Sequence, residues 1–436
     1  MKIKKNEISF ENYKKELNDR EVFYGLPKNI EYCKSCVISN QRPNSTVEFS
    51  HTKASKKSTI NFDQNGICDA CKQSNKKKEI DWAERENQLK DLCDKFRSNN
   101  GDYDCLVPGS GGKDSFYQAH ILKNKYNMNP LTITWAPNLY TDWGRNNHSK
   151  WIHSGFDNYL VTPNGLVTRV LTRLAVENLF HPFQPFMMGQ KALAPKFAAK
   201  FNIPLIFYGE NEAEYGNPIA DNISAKREWK YFTSKDKEKI FLGGASIKEL
   251  TEDFGLSQND LNIFMPADPE LIERKNIEVH YLGYYLKWHP QSAYYYSVEH
   301  GDFEPSPERT VGTYSKYNSI DDKIDDFHYY TTYIKFGIGR TTYDAAQEIR
   351  SGDIDRDEAL MLIKRYEGEF PERFADEIFK YLSVDEKKMP QAASNFESPS
   401  MDRDYFENLT NKFRSPHIWN YVNGQWELVR SIFDTE

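Results

Sequence analysis

One stretch limits the folds open to this chain more than any other: YDCLVPG, SGG, KDSFYQAHILKNKY, running through residues 103–126. A short apolar run, a glycine-rich turn and a helix-forming segment follow one another without a spacer. In that arrangement the turn caps the carboxyl end of a strand, and the helix points its amino end back at it. The alternation then continues. PLTITWAP (130–137), NYLVTP (158–163) and IPLIFYGENEAEYG (203–216) read as further strands, the last ending in a polar turn. WIHSGF, GLVTRVLTRLAVENLF (165–180) and QKALAPKFAAKF (190–201) supply helices around them. Strands alternating with helices predict an α/β fold, a parallel sheet covered on both faces. Ligands of such sheets bind at the carboxyl ends of the strands.

Three kinds of nucleotide loop compete for the turn. The Walker A pattern needs a hydroxyl residue after its lysine, but Lys113 is followed by Asp114. The dinucleotide pattern G-x-G-x-x-G fails on the spacing of Gly109, Gly111 and Gly112. What remains is S-G-G-x-D-S, the pyrophosphatase loop (PP-loop) of ATP-dependent adenylating enzymes, in an adenine nucleotide alpha hydrolase-like domain. Gly111 and Gly112 let the backbone turn tightly and offer N–H groups to phosphate oxygens. Ser110 and Ser115 can donate hydroxyl hydrogen bonds, and Lys113 supplies a cation. Asp114 beside a polyanion makes sense through Mg²⁺. A loop that grips the β- and γ-phosphates releases them together as pyrophosphate, leaving an adenylate on a substrate oxygen. The plain alternative is a glycine turn that binds nothing. At the end of the fourth strand, Glu210, Asn211, Glu212 and Glu214 face the same crevice. Glu210 is the first candidate for metal binding or catalysis beside Lys113 and Asp114, and Asn211 and Glu214 come next as ATP-site residues. A solvated acidic loop is the alternative.

Of the six cysteines, four form two pairs, CKSC (Cys33, Cys36) and CDAC (Cys68, Cys71). Two such knuckles make a tetrahedral Cys₄ zinc site once the intervening loop returns. An iron–sulfur cluster or a redox dithiol are the alternatives. Cys93 and Cys105 read as packing cysteines. The N-terminus is charged, with no apolar stretch of the kind a signal peptide needs, and no run reaches the length of a membrane span. A cytoplasmic protein is expected. The net charge of −7 argues against a sequence-independent nucleic-acid binder. Residues 1–30 read as a loosely packed lead-in, 31–80 as the zinc segment, 81–220 as the ATP-binding domain and 221–436 as a mainly helical region rich in aromatic residues.

The cysteine pairs with CKSCVISNQRPN and NGICDAC, then SGGKDS, then GENEAEYGN, together resemble the N-acetyl sugar amidotransferases of the WbpG/PseA type. The stretch GTYSKYNSIDDKIDDFHYYTTYIKFGIGRTTYDAAQEIRSGDIDRDEA (312–359) is also similar to that family and carries the most specific part of the likeness. The resemblance implies an ATP-dependent, AMP-forming ligase of bacterial surface-glycan (lipopolysaccharide O-antigen) biosynthesis. It would convert a sugar acetamido group to an acetamidino group. Its substrates would be acidic acetamido sugars, free or nucleotide-linked. Its ammonia would come from a separate glutaminase delivered with a cyclase-like subunit, and this chain shows no glutaminase of its own. Lys335 and Arg340 in IKFGIGRTT could then read a carboxylate or diphosphate, with solvated helix faces as the alternative. Two other classes compete. One is a PP-loop tRNA-modifying enzyme of the thiolase or lysidine type, which the basic residues of 33–78 favour. The other is a non-catalytic zinc interaction protein, which the intact SGGKDS disfavours.

Overall fold

The computed structural model describes residues 2–3, 8–218 and 223–435. Its centre is a parallel sheet. Strand β1 (Cys105–Pro108) is flanked by β2 (Pro130–Trp135) and then β3 (Asn158–Val161) on one side. On the other side lie β4 (Leu205–Tyr208) and then a strand at Glu278–Tyr281. Leu106 stands opposite Leu131 and Ile206, and Phe207 opposite His280. Successive side chains of a strand leave by opposite faces, and the core divides accordingly. Leu106, Ile133 and Ile206 pack with residues of α5 (Gly165–Leu179) and α6 (Gln184–Phe201). Val107, Leu205 and Phe207 pack with α2 (Trp82–Phe96) and α3 (Lys113–Asn124) on the other face. Burial on both faces is why these strands read as continuous apolar runs rather than alternating ones. Cys93 and Cys105 are fully buried in that second core, as expected of packing residues.

The structure departs from the expectations in three places. The sheet takes its fifth strand from EVHY, so it continues past the boundary drawn at residue 220. The described part of the lead-in is not loose. Tyr13, Leu26 and Ile30 are buried against Ile418 and Trp419, and the Tyr13 hydroxyl donates to the Arg414 carbonyl at 2.9 Å. Three aromatic and aliphatic anchors in a polar segment suffice to fix it to the C-terminal hairpin. Helix α6 also begins earlier than its periodicity suggests, because Pro185 fits a first turn.

Beyond the sheet the chain is mainly helical. Among its helices are Pro290–Gly301, Asp325–Phe336, Arg340–Ser351 and Arg356–Tyr366, and a short hairpin (Trp419–Val422 with Gln425–Leu428) follows. The helix at 356–366 opens with a reciprocal capping box between Asp355 and Glu358. No helix among the described residues is long and apolar enough to cross a membrane.

Candidate functional site

The turn after β1 is held from within and from both sides. Gly111 has φ +87°, and a Cβ there would lie 2.6 Å from the His148 Cα of α4 (Asp142–His153). Only glycine fits both constraints. The Ser115 hydroxyl accepts from the Gly111 N–H at 3.2 Å and donates to the Gly112 carbonyl at 3.0 Å. It therefore braces the loop. Gly112 caps α3 with no side-chain acceptor, so the first-turn N–H groups are left for a ligand. Lys113 is buried and its ammonium contacts both carboxylate oxygens of the half-exposed Asp114, at 2.8 and 2.7 Å.

Carboxylates gather around this turn from distant segments. Glu210 accepts a hydrogen bond from the Gln347 amide at 3.2 Å. Burial, and then the Asp114 carboxylate, push its carboxyl up to about 8, against the pull of Lys113. Asp321 was not anticipated. It accepts a hydrogen bond from Ser110, and burial holds its carboxyl above the usual range. Its neighbour Asp322 anchors that segment, accepting from the Asn138 N–H at 2.5 Å and the Ile324 N–H at 3.0 Å. Glu214 pairs with Lys77 at 2.9 Å, and Glu212 with Arg227. The Asn211 side chain accepts from the Ala213 N–H, capping a short turn. Neither Asn211 nor Glu214 lines the cavity described next.

That cavity has a volume of about 710 Å³. The whole turn from Gly109 to Ser115 lines one wall, together with Glu210 and Asp321. A second group of lining residues, Glu48, Lys57, His181, Lys191, His328 and Lys335, forms a cationic lobe of the same cavity. His51 and His181 approach Glu48 at 3.7 and 3.8 Å, and His181 stacks on His328 at 5.1 Å. Burial works against its charge, but His51, His181 and the lysines hold Glu48 well below the usual carboxylate range. Burial, then the neighbouring Lys57, lower the Lys335 ammonium to about 7. Its Nζ donates to the Leu179 carbonyl at 2.8 Å. Burial also lowers Lys57 and Lys191. One carboxylate thus faces three lysines, a lobe suited to an anionic group. Arg340 lines the cavity as well, but its charge is engaged. Asp344 accepts from its Nε at 3.1 Å, and its guanidinium lies 3.9 Å over the Tyr329 ring.

The four knuckle cysteines are buried, with all sulfurs within 4.8 Å of one another. Cys33 and Cys71 sulfurs are 3.9 Å apart, Cys36 and Cys68 3.7 Å. Four thiolates at about 2.3 Å from one tetrahedral ion lie about 3.8 Å apart, so the group fits a single metal such as zinc. Backbone N–H groups of Ser35, Cys68 and Cys71 point at these sulfurs, as thiolates require. The site is bolted to the C-terminal region: Arg356 donates to the Cys33 carbonyl at 2.9 Å and to that of Cys36. Residues following the first knuckle, Arg42 to Thr46, continue into the cavity wall.

The C-terminal contribution to the cavity, from Tyr317 through Arg350, lies within a region that resembles a known family. Residues 311–432 match the family of LPS biosynthesis proteins, WbpG-like, C-terminal domain. The match is confined to the C-terminal part of the chain, so the likeness is that of this domain to WbpG-like lipopolysaccharide biosynthesis proteins. A stretch of 83 residues is 30% identical to an uncharacterized protein of Methanocaldococcus jannaschii, covering 19% of this chain and 29% of that protein. The chain thus spans less than a third of the curated relative it matches.

Proposed function

We propose that this chain is an ATP-dependent, AMP-forming N-acetyl sugar amidotransferase with a PP-loop. The observation that carries the reading is one cavity lined both by SGGKDS and by residues of the WbpG-like C-terminal domain, Asp321, Lys335 and Gln347 among them. ATP would bind with its β- and γ-phosphates against the turn, where the α3 N–H groups and Lys113 stabilise charge developing on pyrophosphate. Asp114 and Glu210 are the carboxylates that would hold magnesium, whose charge would offset the triphosphate. The acetamido oxygen attacks the α-phosphorus and pyrophosphate leaves. Ammonia then adds to the amide carbon, loses its protons, and AMP departs with the original oxygen, leaving an acetamidino group. Adenylation is needed because an amide oxygen is otherwise a poor leaving group. In this reading ammonia comes from a separate glutaminase with a cyclase-like subunit.

Incubation with ATP, Mg²⁺, ammonium and acetamido sugars should give sugar-dependent AMP and a product in which NH replaces one oxygen. Release of ADP, or AMP formation indifferent to sugar, would sink the reading. Copurifying tRNA that stimulates AMP formation would favour a tRNA-modifying enzyme instead.

The cationic lobe would take the anionic part of an acidic sugar. Lys335→Met should raise the KM for such a sugar roughly ten- to a hundredfold, the worth of one charge-assisted hydrogen bond. The sign of the pH effect follows from the depressed Lys335 value. An anion favours the protonated amine, so binding takes up a proton and weakens as pH rises through about 7. Wild-type KM for the sugar should climb over that range, and the climb should vanish in Lys335→Met. A neutral sugar should show neither effect.

A further inference from the structure

A second cavity, of about 150 Å³, lies beside the first, between α1 (Asp69–Lys77) and the loop before the helix Pro290–Gly301. We propose that it is the entrance for the ammonia nucleophile, with Gln347 as the inner gate. The inference rests on the amidotransferase reading.

Three observations carry it. First, Ala70, Gln347 and Arg350 line both cavities, so they form the partition between them. Second, the partition ends at the reacting region. The Gln347 amide that faces one cavity donates to Glu210 beside the turn, at 3.2 Å. A swing of that one side chain would join the two spaces next to the carboxylate. Third, the size fits. At about 150 Å³ against about 710 Å³, the side cavity is the smaller of the two and has room for ammonia beside a main cavity filled by ATP and a sugar. Its outer part is crossed by Lys77, which reaches from α1 to Glu214 at 2.9 Å and to the Trp288 carbonyl at 3.1 Å. Exposed Lys78 and Lys287 mark the solvent end.

The chemistry needs such a route. When ATP and a sugar fill the main cavity, a third reactant must still reach the amide carbon. Free access of solvent from the main mouth would let water attack the adenylated amide in place of ammonia. A narrow side passage admits the small nucleophile after the larger substrates have closed the front.

Two substitutions at Gln347 test this, with ammonium chloride and methylamine as the nucleophiles. Gln347→Phe narrows the partition. The KM for ammonium should rise by about tenfold or more, and by much more than the KM for ATP or sugar. Gln347→Ala removes volume at a helical position where alanine is favourable, so folding is not at issue. It should increase the use of methylamine relative to ammonium by about tenfold. An unchanged amine preference in Gln347→Ala, or equal losses for all three substrates in Gln347→Phe, overturns the proposal. Failure of the underlying reading looks different. The wild-type protein would then show no sugar-dependent exchange of pyrophosphate into ATP in the absence of ammonium, and the entrance would fall with it.

Discussion

Cys68→Ser should cost the protein its metal and, with it, one wall of the cavity. Residues 31–80 have little regular structure besides α1. Their pairings are isolated bridges such as Tyr32 with Ser39, Pro43 with Thr59 and Phe62 with Cys68. Their interior consists of the four cysteines with Val37, Ile38, Ile60 and Ala70, packed on Ile338, Ala345 and Ala346 of the C-terminal region. A segment this sparse depends on its metal. Binding of structural zinc is worth about 10–16 kcal/mol in small zinc modules at neutral pH. Removing one ligand forfeits most of that and leaves three buried thiols crowded together. The loss then propagates along the chain into Arg42, Thr46, Glu48, His51 and Lys57, all on the cavity wall. Metal analysis should find one zinc per wild-type chain and none in the variant. Limited proteolysis should open new cuts between residues 45 and 57, and sugar-dependent AMP should disappear. Cys93→Ser is the control, because Cys93 lies in the core under the sheet. It should keep its zinc and lose only packing energy. A metal-free Cys68→Ser protein that resists protease like the wild type would show that the knuckles are dispensable.

Local features were legible and non-local ones were not. The β1 turn could be read because its glycines, serines and lysine are contiguous and their order reports the backbone path. The knuckles could be read because ligand spacing within each pair is local. The fifth strand escaped because EVHY is brief, and about seventy residues of mixed structure separate it from β4. Nothing in its own residues says that its partner is Phe207. Asp321 sits in a run of aspartates whose spacing does not tell which one faces Ser110. Hydrogen bonding separates it from Asp322, which spends its oxygens on backbone N–H groups. The cationic lobe draws Glu48, Lys57, His181, Lys191 and His328 from separate segments, so no pattern in the chain announces it. Lys335 was found in the sequence, but its depressed value was not, since that depends on burial and on Lys57. Arg340 gives the opposite lesson. Asp344 stands one helical turn on, and the spacing itself signals a partner that occupies the charge.

Gly111→Ala should damage both stability and activity, and Gly112→Ala is its informative neighbour. At Gly111 the added carbon meets the α4 backbone at His148, and φ of +87° is strained for any other residue. The loop must move, and in moving it breaks the hydrogen bond from the Gly111 N–H to Ser115. A substitution at positive φ costs about 1 kcal/mol or more, and the clash adds to it, so the melting temperature should drop. Displacing phosphate donors by about 1 Å costs on the order of 100-fold in rate, so AMP formation should fall at least that far while zinc stays bound. Gly112 differs: φ is ordinary, and a Cβ would find only the Ser110 hydroxyl, at 3.8 Å. Gly112→Ala should therefore melt like the wild type. Its methyl nonetheless stands at the start of α3, where phosphates would approach the backbone. If the turn holds a triphosphate, ATP affinity should fall by roughly tenfold or more with no loss of stability. If the turn binds nothing, Gly112→Ala will be silent in both measurements, and Gly111→Ala will report strain alone.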